Sequence, residues 1–282
     1  MADNESRPKV RLGDLQRMKN GGEKIVGVVA WDYQAARVVD RAGVDVVSVG
    51  DTVGVNVWGQ TNPLEVTMAQ MMVVTQAVRR GVTRALLSVD FPFGPLQQGP
   101  ARAVDAAIRF VKEAGVDMVK LDGASDHLDA VEAVTKAGIP VFAQFGITPQ
   151  TALRYGMEYN AIPTAADAVP VELLDDLVAE ARRLEAAGAV LLNFTNSGPV
   201  VGKAVAAAVA VPVVGGFGGG PWLDGRMRMF NAAIGYAASA IDGAPDTYVN
   251  VAQLSLKAMQ DYAADVRSAR QLPGGIPVPP AN

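Results

Sequence analysis

The sequence predicts an α/β fold, specifically a (β/α)8 TIM barrel, and two observations carry that prediction. Near-continuous apolar runs such as residues 24–30 are typical of parallel strands that helices cover on both faces. One unit also recurs, starting at Ala42, Ala114 and Ala187, in which a helix ends at a glycine and a short turn leads into an apolar strand. Seven or eight such units without a domain break favour a barrel over the alternative, an open doubly wound sheet of two domains.

Strands and helices alternate along the whole chain. Each predicted strand is a short apolar run, and an eighth strand is expected in the alanine-rich residues 231–241. The predicted strands are residues 24–30, 43–51, 85–90, 117–122, 139–145, 189–194, 211–215 and 231–241. The predicted helices are residues 11–20, 34–42, 67–80, 101–114, 128–137, 171–187, 201–209 and 251–269.

The predicted domain organisation is one barrel with short ends. Residues 1–10 are polar and are expected to be disordered, and residues 11–271 are predicted to form a single barrel domain. Residues 272–282 form a tail rich in proline and glycine. The chain has 282 residues, 50% of them hydrophobic, and can therefore bury a core large enough for such a domain.

Composition excludes several kinds of protein. A net charge of −4 and a pI near 5.1 argue against a general nucleic-acid binder and against binding to an anionic membrane. The absence of cysteine excludes disulfides, thiolate metal sites and cysteine nucleophiles. The chain shows neither a signal peptide nor an uninterrupted apolar run of roughly 18 residues, so a soluble cytoplasmic protein is expected. The single histidine, His127, is expected to lie at the surface or to cap a helix.

Three of the predicted strands end in an acidic residue: Asp51, Asp90 and Asp122. The C-terminal ends of barrel strands meet on one face, so these carboxylates should lie close together and repel one another unless a cation or protons neutralise them. Oxygen ligands suit a hard ion, Mg²⁺ or else Mn²⁺. Lys120 lies two residues before Asp122, so the two side chains point to the same face of the strand. The alternative is that the acids cap helices or pair with basic side chains inside the barrel.

Several motifs together resemble those of the ketopantoate hydroxymethyltransferase family. Their order and spacing are similar from about Lys24 to Gly235. The segments are VGDTVG at 49–54, Thr67 with QAVRRG at 76–81, DFPF at 90–93, MVKLDG at 118–123 and GITPQ at 146–150. The resemblance implies a metal-dependent barrel of the phosphoenolpyruvate mutase/isocitrate lyase superfamily that assembles as a homo-oligomer.

The family transfers a hydroxymethyl group from methylenetetrahydrofolate to 3-methyl-2-oxobutanoate, so the resemblance implies a 2-oxo acid substrate and methylenetetrahydrofolate as co-substrate. It also implies that Asp51 and Asp90 contact Mg²⁺ and the substrate, and Asp122 stands where the family has a glutamate ligand. Thr52 matches a position, commonly serine, that contacts the 2-oxo acid, and Lys120 matches a substrate-binding lysine. In this scheme the metal acidifies the C–H next to the ketone and stabilises the enolate that attacks the one-carbon electrophile.

Two predicted substrate-binding residues differ from the family. Thr195 occupies the position of its proposed general base, a glutamate, and Gln144 the position of a histidine. A threonine hydroxyl does not take up a proton near neutral pH, so another group must be the base. The candidates are Lys120, Asp32 and Tyr33. Lys120 is thus the candidate catalytic residue, and the preferred alternative is that it stays charged and binds the substrate carboxylate.

Three functions stay open at the level of the sequence. The first is a Mg²⁺-dependent enzyme, most specifically of the 3-methyl-2-oxobutanoate hydroxymethyltransferase type, that forms or breaks a C–C bond next to a 2-oxo acid. The second is a lyase, aldolase or hydrolase of the same superfamily that acts on a different 2-oxo acid. The third is a non-catalytic barrel that binds a metabolite, and the retention of all three acids with Lys120 argues against it.

Overall fold

Eight parallel strands close into a barrel in chain order, which confirms the predicted (β/α)8 fold. The structure is a computed structural model and describes residues 8–151, 169–216, 219–243, 246–270 and 272–275. The chain divides into two compact units, Met1–Met229 and Phe230–Asn282. Among the described residues, no helix is both long and apolar enough to span a membrane.

The first unit contains all eight strands and eight helices of the described chain. The strands are β1 Ile25–Val29, β2 Val46–Val49, β3 Leu86–Asp90, β4 Met118–Leu121, β5 Val141–Gly146, β6 Leu191–Thr195, β7 Val213–Gly215 and β8 Gly225–Met229. The helices are α1 Leu12–Gly21, α2 Tyr33–Ala42, α3 Val53–Asn56, α4 Met68–Gly81, α5 Pro100–Ala114, α6 Leu128–Lys136, α7 Leu174–Ala186 and α8 Pro199–Ala208.

The eighth strand lies at Gly225–Met229, so its prediction at residues 231–241 was wrong. This strand alternates Gly225 and Met227 with the more exposed Arg226 and Arg228, and the arginines hide it from a search for apolar runs. It pairs with β1 and with β7, and so closes the barrel. The alanine-rich residues instead form a short helix and a 3₁₀ turn.

The barrel interior is layered from apolar to polar. Each strand contributes one residue to a buried apolar layer: Ile25, Val46, Leu86, Met118, Phe142, Leu191, Val214 and Met227. Because side chains alternate along a strand, the residues two positions further on point into the same interior. On β2 to β6 these residues are polar: Ser48, Ser88, Lys120, Gln144 and Asn193. The next inward positions on β3, β4 and β6 bring in Asp90, Asp122 and Thr195, so the C-terminal end of the barrel is a buried polar mouth.

The predictions for the two ends of the chain can be compared with the structure only in part. Val10 lies in the stretch expected to be disordered, yet its side chain packs in the barrel core and its N–H donates to the Arg84 carbonyl at 2.8 Å. Residues 1–7 and 276–282 lie outside the described residues, so the predictions for them stay predictions. The barrel unit ends with β8 at Met229, whereas the sequence predicted one domain over residues 11–271.

The second unit is built from two helices, α9 Phe230–Ile234 and α10 Val251–Arg267, joined through a 3₁₀ turn at Ala238–Ile241. Asn250 organises this unit. Its Oδ1 accepts a hydrogen bond from the Gln253 N–H at 3.0 Å and caps α10, while its Nδ2 donates to the 3₁₀ turn at 2.7 Å.

Asp40 on α2 holds the connection that leads from α4 into β3. Its carboxylate accepts hydrogen bonds from the Thr83 N–H and hydroxyl, the Arg84 N–H and the Ala85 N–H, at 3.0, 2.7, 3.1 and 2.8 Å. Burial alone would raise the pKa of Asp40, but the bonds from Ala85, Thr83 and Arg84 outweigh it and lower the pKa. The carboxylate therefore fixes where β3 begins, and with it the position of Asp90 at the end of that strand.

Replacing Asp40 by alanine should lower the free energy of unfolding by about 2–4 kcal/mol, because several buried backbone donors lose their acceptor. Urea unfolding of the metal-free protein measures the change. Asp105→Ala, at an exposed position on α5, is the matched control and should change the free energy by less than about 0.5 kcal/mol. Equal effects of the two substitutions would show that Asp40 does not hold this connection.

Candidate active site

The centre of the polar mouth is an ion pair between neighbouring strands. The Lys120 ammonium on β4 lies 2.8 Å from Asp90 Oδ2 on β3, and both side chains are about nine-tenths buried. Asp90 Oδ1 also accepts a hydrogen bond from the Ser48 hydroxyl at 3.2 Å. The Phe142 ring lies below the ammonium, 5.7 Å from its centroid. An ammonium held in this way is a fixed positive charge at the mouth.

Asp51 lies just beyond the end of β2 and is buried. Its Oδ2 accepts a hydrogen bond from Gln150 Nε2 at 2.8 Å. Burial, and then repulsion from Asp90 and Asp122, raises the pKa of Asp51 to about 8. The Gln150 bond and the Lys120 charge act in the opposite direction but are weaker. Without a cation, this carboxyl group is therefore mostly protonated at neutral pH.

Asp122 follows β4 and is the third member of the cluster. Its Oδ2 accepts a long hydrogen bond, 3.3 Å, from the Gln150 N–H. Burial raises the pKa of Asp122 to about 6, although a hydrogen bond from Thr148 and the Lys120 charge oppose the rise. Its Oδ1 is buried and has no hydrogen-bond partner among the described residues. A buried carboxylate oxygen of this kind is suited to a ligand that the chain itself does not supply.

Gln150 connects the acids, and the sequence analysis did not assign it a role. Its side-chain amide donates to Asp51 and also to the Phe91 carbonyl at 2.7 Å, while its backbone N–H faces Asp122. It lies at the end of the GITPQ motif, within a loop. Strand periodicity gives no direction for a loop side chain, so only the motif itself could have pointed to it.

The acids of the cluster could hold a divalent cation only as part of its ligand shell. Among the described residues, no three acidic, histidine or cysteine side chains are grouped closely enough to hold one ion together. Mg²⁺, however, commonly takes one or two carboxylates and completes its shell with water and substrate oxygens. Asp51, Asp90 and Asp122 are buried around a single ammonium, and Asp122 Oδ1 has no partner among the described residues, so a cation would offset the repulsion between these acids. The donor set thus fits a hard ion ligated directly by one or two of these acids.

Thr195 and Gln144, the neutral residues at two positions where the resembled family has ionisable ones, both lie in the mouth, but they are engaged differently. Thr195 Oγ1 lies 3.0 Å from the Phe145 carbonyl and 2.6 Å from the Ile147 carbonyl, so the hydroxyl donates to the backbone at the C-terminal end of β5. Gln144 is 3% exposed, and its Oε1 has no hydrogen-bond partner within the described residues. Thr52 lies beside Asp51, buried at the start of α3.

The other candidate bases are engaged away from the cluster. Asp32 caps α2, where its Oδ1 accepts from the Ala35 N–H at 2.8 Å. The Tyr33 hydroxyl accepts from Arg37 at 3.1 Å, and its side chain is exposed. Asp32 and Tyr33 each make their hydrogen bond to a residue of α2. A role in supporting that helix therefore explains them better than a role as general base.

A cleft of about 320 Å³ opens beside the cluster. Asp122 and Gln150 form part of its wall, together with Phe93 and the single histidine, His127. His127 occupies the N-cap position of α6, as one of its two predicted roles suggests, but its imidazole makes no capping bond to the described helix. Of the three acids, Asp122 is the one that lines this cleft.

Solved structures with the same architecture define the class of protein. A 2,3-dimethylmalate lyase, a member of the PEP mutase/isocitrate lyase superfamily, aligns with a TM-score of 0.58 at 15% identity, over 90% of this chain and 88% of that one. A phosphonopyruvate hydrolase in complex with oxalate and Mg²⁺ aligns with a TM-score of 0.53 at 13% identity, over 93% and 88%. At these identities the likeness shows the fold alone, which is that of a (β/α)8 barrel.

Sequence comparison identifies the family. The model of the ketopantoate hydroxymethyltransferase family matches residues 9–274. A 3-methyl-2-oxobutanoate hydroxymethyltransferase of Salinibacter ruber is 36% identical over 260 residues, which are 92% of this chain and 96% of that protein. The chain belongs to the ketopantoate hydroxymethyltransferase family and is an enzyme of the hydroxymethyltransferase type.

Binding of Mg²⁺ at pH 7 should release close to one proton. A carboxyl group with a pKa of about 8 is mostly protonated at that pH and must ionise to ligate a cation. Calorimetric titration in two buffers with different ionisation enthalpies measures the number. At about pH 9.5, where Asp51 is already ionised, the release should fall almost to zero. A release that does not change between the two pH values would contradict a role for Asp51 in ion binding.

Proposed function

We propose that this enzyme transfers a hydroxymethyl group from methylenetetrahydrofolate to 3-methyl-2-oxobutanoate with the help of Mg²⁺ or Mn²⁺. The observation that carries the proposal is the buried set of three acids around one lysine at the mouth of the barrel. The name of the Salinibacter ruber relative supports the reaction, and the Mg²⁺ and oxalate in phosphonopyruvate hydrolase support a divalent ion beside a small dioxo ligand.

Asp51 and Asp90 are the proposed ligands of the ion, with Asp122 as a third acid acting directly or through water. When bound there, the ion would supply Lewis acidity toward the ketone oxygen of a 2-oxo acid. Gln150 holds the Asp51 carboxyl group in place through its 2.8 Å hydrogen bond. Its second bond, to the Phe91 carbonyl, fixes the amide so that it does not rotate away.

Lys120 and Thr52 are the proposed contacts of the 2-oxo acid. The ammonium of Lys120 supplies a buried positive charge for the substrate carboxylate, and the Thr52 hydroxyl is a hydrogen-bond donor beside Asp51. The ion pair with Asp90 favours this binding role for Lys120 over the role of general base, because the carboxylate stabilises the charged ammonium. Thr195 donates its hydroxyl hydrogen to backbone carbonyls and does not replace a carboxylate base.

The second candidate is a lyase or aldolase of the same fold that acts on another 2-oxo acid. Gln144 and Thr195 favour it, since both neutral side chains stand on β5 and β6, where the family has ionisable groups. Removal of a proton next to the ketone and cleavage of a C–C bond at that position pass through the same kind of carbanion. The binding half of the site therefore serves either reaction.

Exchange of the C3 hydrogen of 3-methyl-2-oxobutanoate in D₂O with Mg²⁺ tests both candidates. NMR should show exchange that EDTA abolishes and that Lys120→Met slows by about 10- to 100-fold, since a buried charge-assisted contact is lost. Lys136→Met, on the exposed side of α6, is the matched control. Exchange without transfer from methylenetetrahydrofolate would favour the lyase candidate. Absence of exchange with every 2-oxo acid of a panel would contradict both.

The enzyme is also proposed to form a homo-oligomer through α10. Leu254, Met259, Tyr262 and Val266 on this helix are between 51% and 61% exposed. The spacing of the last three puts them on one side of the helix, and a contiguous apolar stripe of this kind marks a protein interface. A second copy of the chain carries the same stripe, which permits a self-complementary contact.

Sedimentation velocity tests this assembly. The wild-type protein should sediment as an oligomer. The double variant M259E/Y262E should shift it toward the monomer, because burying a carboxylate in an apolar interface costs free energy. Lys257→Gln, on the opposite side of α10, is the control and should leave the distribution unchanged. A monomeric wild-type protein would overturn the proposal.

A further inference from the structure

The cleft beside the acids is built from the segments that follow four neighbouring strands, β2 to β5. Its volume is about 320 Å³, and pockets of about 300 Å³ and above hold ligands with fused rings. Asp122 lines the cleft, is 5% exposed, and carries the Oδ1 atom that has no partner among the described residues. The cleft therefore borders the acid cluster and has room for a second reactant beside a five-carbon 2-oxo acid.

One wall of the cleft is an exposed aromatic ring. Phe93, in the turn after β3, is 44% exposed although it is a large apolar side chain, and Leu64 lies in the same lining. An exposed ring in a concave site provides a face on which a flat ligand can stack. Gln97 lies near this wall, and its Oε1 accepts a hydrogen bond from the Gly94 N–H at 2.8 Å, so its Nε2 is left as a donor to a ligand.

The charge of the lining restricts the ligand further. Asp122 and Asp126 both line the cleft, and no lysine or arginine occurs among the described residues of its wall. Carboxylates accept hydrogen bonds and repel other carboxylates. The cleft thus favours an uncharged ring that presents N–H groups, and it disfavours a ligand segment that carries carboxylates.

We propose that this cleft binds the one-carbon donor with its reduced pterin ring inside and its glutamate tail outside. The proposal rests on the proposed function and names where its second substrate binds. The transferred carbon of methylenetetrahydrofolate bridges a nitrogen of the reduced ring and the nitrogen that joins the ring to the tail. The ring must therefore lie next to the acid cluster for that carbon to reach a 2-oxo acid held there.

The chemistry of the ring matches the two kinds of wall. The flat face stacks on Phe93, and the edge that carries the 2-amino group and the neighbouring ring N–H donates to the Asp126 carboxylate. The carboxylates of the tail stay in solvent, away from Asp122 and Asp126.

Two fragments of the donor test this orientation on the wild-type protein. 6,7-Dimethyltetrahydropterin contains the ring alone, and p-aminobenzoylglutamate contains the tail alone. In assays of transfer from methylenetetrahydrofolate with Mg²⁺, the ring fragment should compete with the donor, and the tail fragment should bind about tenfold or more weakly. Competition by the tail fragment alone, or equal competition by both fragments, would overturn the proposal.

Formaldehyde serves as an internal reference, because it delivers the same carbon without a ring. The enolate carbon bonds to the formaldehyde carbon, the π electrons of the C=O bond move to its oxygen, and that oxygen takes up one proton. The quantity to measure is the ratio of kcat/KM with methylenetetrahydrofolate to kcat/KM with formaldehyde. This ratio cancels any effect of a substitution on the 2-oxo acid or on the ion.

Phe93→Ala and Asp126→Asn should each lower this ratio about tenfold or more, since one removes the stacking face and the other a charge-assisted contact. Asp129→Asn, an exposed acid in the first turn of α6 that does not line the described cleft, is the matched control and should keep the ratio within about twofold. An unchanged ratio in both cleft variants would overturn the proposal.

The same assays separate this proposal from the proposed function. If the wild-type protein uses both donors but the fragments or the ratios give a contradicting result, the cleft assignment fails and the proposed reaction stands. If the wild-type protein transfers no carbon from either donor, the proposed function fails, and the cleft assignment fails with it. The fragment experiment requires no substitution, so a variant that does not fold leaves the decision intact.

Discussion

The structure depends on a charge imbalance at the mouth of the barrel. Three carboxyl groups, Asp51, Asp90 and Asp122, are buried there, and one buried ammonium, Lys120, compensates for one of them. Burial and repulsion between the carboxyl groups raise the pKa of Asp51 and of Asp122, so these groups bind protons more readily than free carboxyl groups do. Carboxyl groups that repel one another stay close together only where the rest of the fold holds them there.

The layered interior of the barrel holds these carboxyl groups together. One apolar residue from each strand contributes to the buried apolar layer, and the next inward position is polar on five neighbouring strands. Lys120 and Asp90 pair directly across the β3–β4 ladder, so backbone hydrogen bonds bring the ammonium and the carboxylate together. Asp40 fixes the start of β3 from outside through four donor groups, and a shift of β3 by one residue would turn Asp90 away from the interior. The hydrogen bonds of Asp40 outside the barrel thus help to keep the mutually repelling carboxyl groups in place inside it.

The sequence predicts the parts of this arrangement that follow strand periodicity. Asp90 and Lys120 lie on strands that were predicted from apolar runs, and in the structure the two residues are paired across neighbouring strands at the mouth. The eighth strand was not found, because Arg226 and Arg228 interrupt its apolar pattern. Gln150 escaped notice because a loop has no period, and its two amide bonds depend on how that loop folds over the acids. Long-range contacts of this kind are decided by tertiary structure.

The site divides into a half that agrees with the family and a half that does not. The acids and Lys120 lie on the β2–β4 side, and it is to this side that the proposed function assigns the ion and the 2-oxo acid. The β5–β6 side carries Gln144 and Thr195, and there the ionisable groups of the family are replaced by neutral ones. The Thr195 hydroxyl donates to backbone carbonyls at the C-terminal end of β5, so its role in the interior is structural. The proposed function assigns activation of the ketone to the first half, so under that proposal a change in the second half would alter the choice of substrate while the chemistry stays the same.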